Sequence, residues 1–362
     1  MDLALDDLLR KERALHALLR QYGSVLVAYS GGVDSAYLAK AALDVLGPQS
    51  VLAVTGRSPS YPAEQYEIAV AVADSIGLPR LEIETDELDD PSYAANPVNR
   101  CYYCKVDLYS RLEALARERG LAAIVDGCNA DDLSDHRPGL KAARELDVRS
   151  PLQEVGLTKA EIRVLSRQAG LPTWNMPASP CLASRISYGT PVTIGRLRRI
   201  EEAESRLRAI GEWRELRVRQ HGELARLEVD AAGLARLVEP ELRARAARAL
   251  KDAGYTRACL DLRGYRRGAL NEARGPGTKT DSPGDGTPAL EAERRLLEIG
   301  IRARVTDAGP DGEIAVLQPV GDSISGLLTV RRDAALERCE AAGFRYVAVE
   351  LSDACFRRPE PL

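Results

Sequence analysis

No run of apolar residues in this 362-residue chain approaches the length that crosses a bilayer, so no membrane-spanning role is expected. The opening residues, Met1-Asp2-Leu3-Ala4-Leu5-Asp6-Asp7, are acidic and lack a secretory pattern, which points to a cytoplasmic protein. A basic surplus is missing too. Lys and Arg total 50 against 54 Asp and Glu, a net charge of −4. With no basic patch interleaved with aromatics, nucleic acid is a poor partner. Seven cysteines, an odd number in a large chain without a secretory signal, do not make a disulfide framework. Clustered cysteines are therefore read for metal binding or catalysis. The hydrophobic share of 45% is that of an ordinary globular protein, and the length allows two or three domains.

The chain is organised around Ser30-Gly31-Gly32-Val33-Asp34-Ser35. Val25–Tyr29 before it reads as a buried strand. Ala36, Leu38, Ala39, Ala42, Leu43 and Leu46 after it recur at helical spacing until Gly47-Pro48. A strand that passes through a glycine turn into a helix makes an anion site, because the backbone approaches closely and the helix N-terminus supplies N–H groups and a positive dipole. Ser30 and Ser35 add hydroxyls, and Asp34 can help hold a Mg²⁺ that bridges phosphates. No Gly-Lys-Ser/Thr follows, so this is not a Walker A loop. The six residues resemble the PP-loop of the N-type ATP pyrophosphatases, which implies ATP binding and cleavage between the α- and β-phosphates.

Strand candidates recur at 24–30, 51–56, 81–85 and 122–127, with helices near 34–46, 62–77 and 103–119 and an amphipathic opening helix at 3–22. That alternation is the signature of an α/β fold with a parallel sheet, whose ligands sit at the carboxyl ends of its strands. Those ends are Ser30, Gly56-Arg57-Ser58, Thr85-Asp86 and Asp126-Gly127. A capping box at Thr158 and Glu161 opens a further helix, and a proline-rich loop runs from Pro172 to Arg185. The first domain is thus expected over 1–188. A smaller α+β domain over 189–273 holds a hairpin around His221-Gly222. A Gly/Pro/Ser-rich linker follows at 274–289.

Residues 290–362 read as a degenerate repeat of the second domain. Glu291–Gly300 repeats seven of the ten residues of Glu202–Gly211, and Ala342-Gly343-Phe344 echoes Ala253-Gly254-Tyr255 at the same 89-residue offset. With a one-residue insertion, Arg217, Arg219 and Glu228 align with Asp307, Gly309 and Gln318. The repeat then keeps the apolar scaffold and loses the charged face, as expected if that face serves a ligand in the first copy alone.

Cys101-Tyr102-Tyr103-Cys104 lies in an expected loop opening a helix, and Cys181 in the irregular loop with Arg185 near enough in sequence to favour a thiolate. Zinc would want a second close pair. Three cysteines fit a [4Fe–4S] cluster with one open iron, and two partly buried free thiols fit the C-x-x-C equally well. Cys128, Cys259 and Cys339 are left to packing, and Cys355 to the terminus. Arg217 and Arg219 alternate with Leu216 and Val218, so both guanidiniums point to one face of a strand. There they either flank an anion such as a phosphate, joined by Glu228 and Arg266, or form a solvated surface.

From Ser24 to about Glu272 the chain resembles the LarE family, ATP-dependent sulfur transferases of nickel-pincer cofactor synthesis. The resemblance rests on Ser30–Ser35, Gly56–Pro62, Asn99–Lys105, Asp126–Asp132, Arg137-Pro138-Gly139, Ser150-Pro151-Leu152, Pro180–Arg185 and Gly264-Tyr265-Arg266. It implies adenylation of a carboxylate of a small nucleotide substrate, pyridinium-3,5-biscarboxylic acid mononucleotide, with release of pyrophosphate and conversion to a thiocarboxylate. It implies a homo-oligomer as well. Carried over by position, the ATP residues are Ser30, Gly31, Gly32, Asp34, Ser35, Ser58 and Gly127, and the substrate residues Arg217, Arg219, Glu228 and Arg266. Asp34, Cys181 and Arg185 are carried over as catalytic. Two sulfur sources occur in the family: the cysteine at the Cys181 position, or a hydrosulfide on a [4Fe–4S] cluster. The presence of Cys101, Cys104 and Cys181 together favours the cluster. A tRNA thiolase or other PP-loop amide or thioamide synthetase, and a nucleotide-sensing scaffold, are the competing functions.

Overall fold

A computed structural model of the chain describes residues 2–134, 138–266, 268, 287–320 and 324–351. The expected linker lies outside the described residues as far as 286, as do Arg137 and Cys355. The chain divides into two compact units. The first comprises Met1–Leu182 and Tyr188–Ile194, the second Ala183–Ser187 and Gly195–Leu362. Among the described residues no helix is long and apolar enough to cross a membrane.

The first unit is built on four parallel strands, β1 (Val25–Ala28), β2 (Val51–Arg57), β3 (Arg80–Glu84) and β4 (Ala123–Val125). Their order is β3-β2-β1-β4. Successive residues of β1 feed opposite cores. Val25 and Val27 join Leu15, Leu38 and Leu165 on one face, and Leu26 joins Val54, Leu112 and Ile124 on the other. The central strand β1 and its neighbour β4 are apolar throughout, as strands buried on both faces are, while the edge strand β3 alternates charged with apolar residues. Because β1 has β2 on one side and β4 on the other, chain direction across the sheet reverses at β1. A ligand crevice of such a sheet opens at the carboxyl end of that strand, and the residues there are Tyr29 to Gly32.

The second unit is a six-stranded mixed sheet of β5 (Leu216–His221), β6 (Leu224–Val229), β7 (Arg257–Asp261), β8 (Ala303–Ala308), β9 (Ile314–Pro319) and β10 (Tyr346–Glu350). The order is β5-β6-β7-β10-β9-β8. The segments read from sequence as a second domain and a repeat therefore share one sheet, joined by the antiparallel β7–β10 pair.

Register corrects the internal alignment. Arg217 pairs with Glu228 in β5–β6, and Arg304 with Gln318 in β8–β9. The counterparts of Arg217 and Arg219 are thus Arg304 and Thr306, not Asp307 and Gly309. The extra residues sit in the hairpin turn, 222–223 in the first copy against 309–313 in the second. One side-chain contact marks the same equivalence. The Val218 N–H donates to Glu204 Oε1 at 3.0 Å, and the Val305 N–H to Glu293 Oε1 at 2.7 Å. Both carboxylates stand at the same position of the repeated helix motif.

His221, at the end of β5, is buried. Its Nε2 accepts from Arg226 Nε at 3.3 Å, and its Nδ1 lies 3.1 Å from Ser187 Oγ and 3.6 Å from Glu313. Burial pushes its pKa down and Arg226 adds to this, against the opposing pull of Glu313 and Glu228. The folded state therefore holds the ring neutral, while the unfolded chain takes a proton below about pH 6.5. Below that pH the unfolded state binds more protons, so acidification costs stability. Urea unfolding at about pH 7.5 and about pH 5.5 should show this fall, and His221→Gln should flatten it. An unchanged slope in the variant would assign the acid sensitivity to other groups.

Candidate active site

At the carboxyl end of β1 the chain turns through Gly31, whose φ is +65°. A Cβ there would lie 2.4 Å from Ala69 Cβ and 2.5 Å from its Cα, so only glycine fits. Gly32 is the N-cap of the helix Val33–Leu46 and brings no side chain to occupy the first-turn amides. The loop is braced from below. Ser35 Oγ accepts from the Ser30 N–H at 3.2 Å and lies 3.2 Å from Ser30 Oγ. Tyr61 and Gln65 both donate to the Ser30 carbonyl at 3.0 Å. Gly127 closes the other side: a Cβ on it would stand 2.9 Å from the Ser35 nitrogen. Ser30, Gly31, Gly32, Ser35 and Gly127 thus converge on one turn at the N-terminus of this helix.

Asp34 points to a partner that the sequence reading missed. Lys159 Nζ lies 2.5 Å from Asp34 Oδ2. Lys159 is the first residue of the helix Lys159–Gln168, directly after its N-cap Thr158 and inside the Thr158–Glu161 capping box. A cation at a helix N-terminus opposes the macrodipole, so a lysine there already signals a nearby negative charge. The structure supplies it with Asp34.

Behind Gly127 stands a second polar group. Asp126 Oδ2 accepts from Tyr109 Oη at 2.7 Å and from the Cys128 thiol at 3.2 Å, and Oδ1 accepts from Ser150 Oγ at 2.8 Å. The Lys105 ammonium lies 4.8 Å from the Tyr109 ring centroid. Burial pushes its pKa down, but Tyr109, Asp126 and Cys128 outweigh that and hold it raised. Cys128 is therefore part of a hydrogen-bonded network rather than plain packing. Cys259 and Cys339 are fully buried, as expected.

Cys101 and Cys104 occupy the first turn of the helix Arg100–Arg119 itself, not a loop before it. Cys101 is exposed, while Cys104 and Cys181 are half-buried. Cys181 is fixed to the strand edge by its neighbour, since the Leu182 N–H donates to the Ser60 carbonyl at 2.8 Å. Ser60 belongs to the turn after β2. Ser58 Oγ lies 2.8 Å from Ser60 Oγ, which in turn donates to the buried Glu87 at 2.8 Å. Burial pushes the Cys104 thiol far up, and Glu87, Cys181 and Cys101 add to the rise. Tyr93 is raised by burial and then by Cys181 and Cys104. The three sulfurs thus act on one neighbourhood, on the same strand edge as the loop that carries Ser30. Among the described residues no three His, Cys, Asp or Glu side chains stand together closely enough to hold a metal ion.

In the second unit the arginines are not a solvated surface. Arg217 and Arg219 are only 5% and 6% exposed. Arg219 donates to Glu228 through Nε at 2.9 Å and to the Ser184 carbonyl through Nη1 at 2.8 Å. Glu228 also lies 2.9 Å from Arg226, which shares Asp261. Arg217 lies 5.2 Å from the Tyr265 ring centroid, beside Arg266 in sequence. Burial and the like charge of Arg185 push its pKa down. Arg185, expected to favour the Cys181 thiolate, has a different partner. Its Nε and Nη2 grip the buried Glu204 at 3.0 and 3.1 Å. Burial raises the Glu204 carboxyl, but Arg185 and Arg217 hold it below the usual range.

Comparison with known proteins fits this geometry. The sequence profile described as NAD synthase matches residues 10–112, which contain the glycine turn and β1–β3. An uncharacterised protein of Synechocystis sp. is 42% identical over 263 residues, 72% of this chain and 97% of that protein. The pyridinium-3,5-bisthiocarboxylic acid mononucleotide synthase of Lactiplantibacillus plantarum is 37% identical over 262 residues, 72% of this chain and 94% of the relative. An uncharacterised protein of Methanocaldococcus jannaschii is 27% identical over 242 residues. More than a quarter of this chain therefore has no counterpart in relatives that are matched almost end to end.

Proposed function

The chain belongs to the PP-loop family of the pyridinium-3,5-bisthiocarboxylic acid mononucleotide synthases, the LarE family, and from that premise we propose that it is an ATP-dependent sulfur transferase of nickel-pincer cofactor synthesis. It adenylates a carboxylate of pyridinium-3,5-biscarboxylic acid mononucleotide and converts it to a thiocarboxylate. The observation that carries this reading is the turn at Ser30–Ser35 with three thiols on the same strand edge of one unit.

The Ser30–Ser35 amides receive the ATP phosphates, and Asp34 would help hold a Mg²⁺ that neutralises their charge. A carboxylate oxygen of the substrate attacks the α-phosphorus, the α–β bridging bond breaks, and pyrophosphate leaves with the electron pair. With Asp34 engaged by the metal, the Lys159 ammonium beside it would be free to stabilise the negative charge of the departing pyrophosphate. In the second unit Arg217, Arg219 and Arg266 take the phosphate of the mononucleotide, with Glu228 orienting Arg219. Sulfur then displaces AMP from the acyl-adenylate.

Two sulfur sources fit Cys181. A [4Fe–4S] cluster held by Cys101, Cys104 and Cys181 would supply sulfur carried on its open iron. Alternatively the Cys181 thiolate attacks the acyl-adenylate, AMP leaves, and the thioester breaks at the Cβ–S bond with loss of the Cα proton, leaving dehydroalanine on the chain. The residues suit the cluster by number, ligand type and shared neighbourhood, though each thiol must lose its proton and draw closer. Iron and sulfide analysis of anaerobically purified protein decides between them. About four of each per chain, lost in Cys101→Ala and Cys104→Ala, supports the cluster. Iron-free active protein whose Cys181 becomes dehydroalanine supports the sacrificial thiol.

The substrate face has its own test. Replacing Arg217 with Ala should raise the substrate KM by the loss of about 1.5–3 kcal/mol, roughly tenfold to a hundredfold, and leave the ATP KM largely unchanged. Steady-state kinetics with each substrate varied in turn checks it. Equal effects on both constants would count against a phosphate contact.

A further inference from the structure

The six strands of the second unit are arranged as a palindrome, β5-β6-β7 meeting β10-β9-β8. Both halves pair their outer strands antiparallel and their inner strands parallel. The registers agree residue for residue. Leu224 stands beside Arg257 and Leu227 beside Leu260 in the first half; Ile314 stands beside Tyr346 and Leu317 beside Val349 in the second. That makes Leu260 and Val349 equivalent positions. They are also directly opposite each other in the β7–β10 pair, with Asp261 opposite Ala348 and Cys259 opposite Glu350. An antiparallel pair whose equivalent residues face one another has a two-fold axis at that point.

We propose that the C-terminal repeat is a built-in second protomer. It covers the β7 edge on which a second copy of this chain's first-copy sheet would otherwise pair, about a two-fold axis at Leu260. Strand edges template such pairing unless they are covered, and the register above is the one an isologous dimer would use.

The repeat is also better suited to that edge than an identical copy. Tyr346 stands at the position equivalent to Arg257 and lies over the buried Arg226 guanidinium, 4.0 Å from its ring centroid. In a symmetric pair a second Arg257 would take that place, setting like charges together. Arg257 itself meets Thr306 at 3.1 Å and Glu350 at 4.0 Å, where symmetry would bring Arg219 and Asp261. The departures from the parent sequence therefore favour pairing within the chain over pairing between chains.

The test uses full-length protein carrying Cys101→Ser to remove the exposed thiol. Glu350→Cys puts a thiol opposite Cys259, at the Cα spacing a disulfide needs. Under mild oxidation the disulfide should close within one chain, and non-reducing gels should show single-chain mass. A covalent dimer would mean that β10 pairs with another chain, and would overturn the proposal. Leu260→Cys alone faces Val349 and should give no cross-link. Adding Val349→Pro, which removes a ladder donor from β10, should release β7, double the mass by light scattering and cross-link the thiol introduced by Leu260→Cys to the same thiol of a second chain. Cooperatively folded protein with the mass unchanged and no cross-link would contradict the proposal. Should Val349→Pro not fold, the Glu350→Cys result decides the question by itself.

Discussion

Asp34→Asn is expected to lower the rate of pyrophosphate release by at least about a hundredfold while the fold survives. Asp34 is the one carboxylate on the first turn of the helix that follows the glycine turn. Without it the Mg²⁺ loses an anionic support, and charge building on the leaving pyrophosphate has less to stabilise it. The Lys159 ammonium, 2.5 Å away, gives the experiment an internal control. Lys159→Ala should slow release as well and raise the ATP KM, because it removes a charge that ATP would meet. The two losses should not add, since each variant disrupts the same pair. Pyrophosphate assays with circular dichroism as a fold check measure both. Near-normal release by Asp34→Asn would remove the turn from the chemistry.

Cys181→Ser should separate the two half-reactions. The fold and the glycine turn are untouched by this change, so ATP should still be cleaved when substrate is added. Thiocarboxylate should fall below detection, because Cys181 is either the donor itself or a ligand of the cluster that would carry the donor. Cys104→Ser divides them further. Its thiol is held protonated by burial and by Glu87 and Cys181, so it is a poor nucleophile unless a metal takes its proton. Loss of sulfur transfer in Cys104→Ser, with pyrophosphate release kept, therefore indicates a ligand role. Mass spectrometry of the product alongside pyrophosphate release reads both. Thiocarboxylate from Cys181→Ser would send the search for the sulfur donor elsewhere.

Much of the first unit was legible because its signals are local. The strand–glycine–helix unit at Val25–Leu46 follows from β-branched residues, two glycines and helical periodicity within some twenty positions, and β1 and its helix form there. The need for Gly31 could be suspected from the motif, but its cause, a 2.4 Å approach to Ala69, comes from a helix that packs nearly forty residues later. Lys159 was missed for a similar reason. Its partner is 125 residues away, and only its unfavourable place at a helix N-terminus hints at one.

The second unit shows where sequence periodicity stops short. Alternation placed Arg217 and Arg219 on one face correctly, yet it could not tell a wet face from a buried one. Glu228 and Asp261 come from two further strands, and their carboxylates offset the charges of Arg219 and Arg226, which makes burial tolerable. The repeat was visible in its helix motif, where identity is high. Its hairpin alignment slipped because turn length is weakly constrained in sequence and tightly recorded in register. Arg185 shows the reverse problem: four positions from Cys181 in sequence, it is committed to Glu204 by a contact that sequence proximity does not reveal.

The most direct test of the account is an anaerobic reaction of the purified chain with Mg-ATP and pyridinium-3,5-biscarboxylic acid mononucleotide, with nucleotides and products followed together. The expected result is AMP and pyrophosphate in equal amounts, dependent on the mononucleotide, with a thiocarboxylate product in step. Cleavage of ATP to ADP and phosphate, or no substrate-dependent pyrophosphate from folded protein, would contradict it.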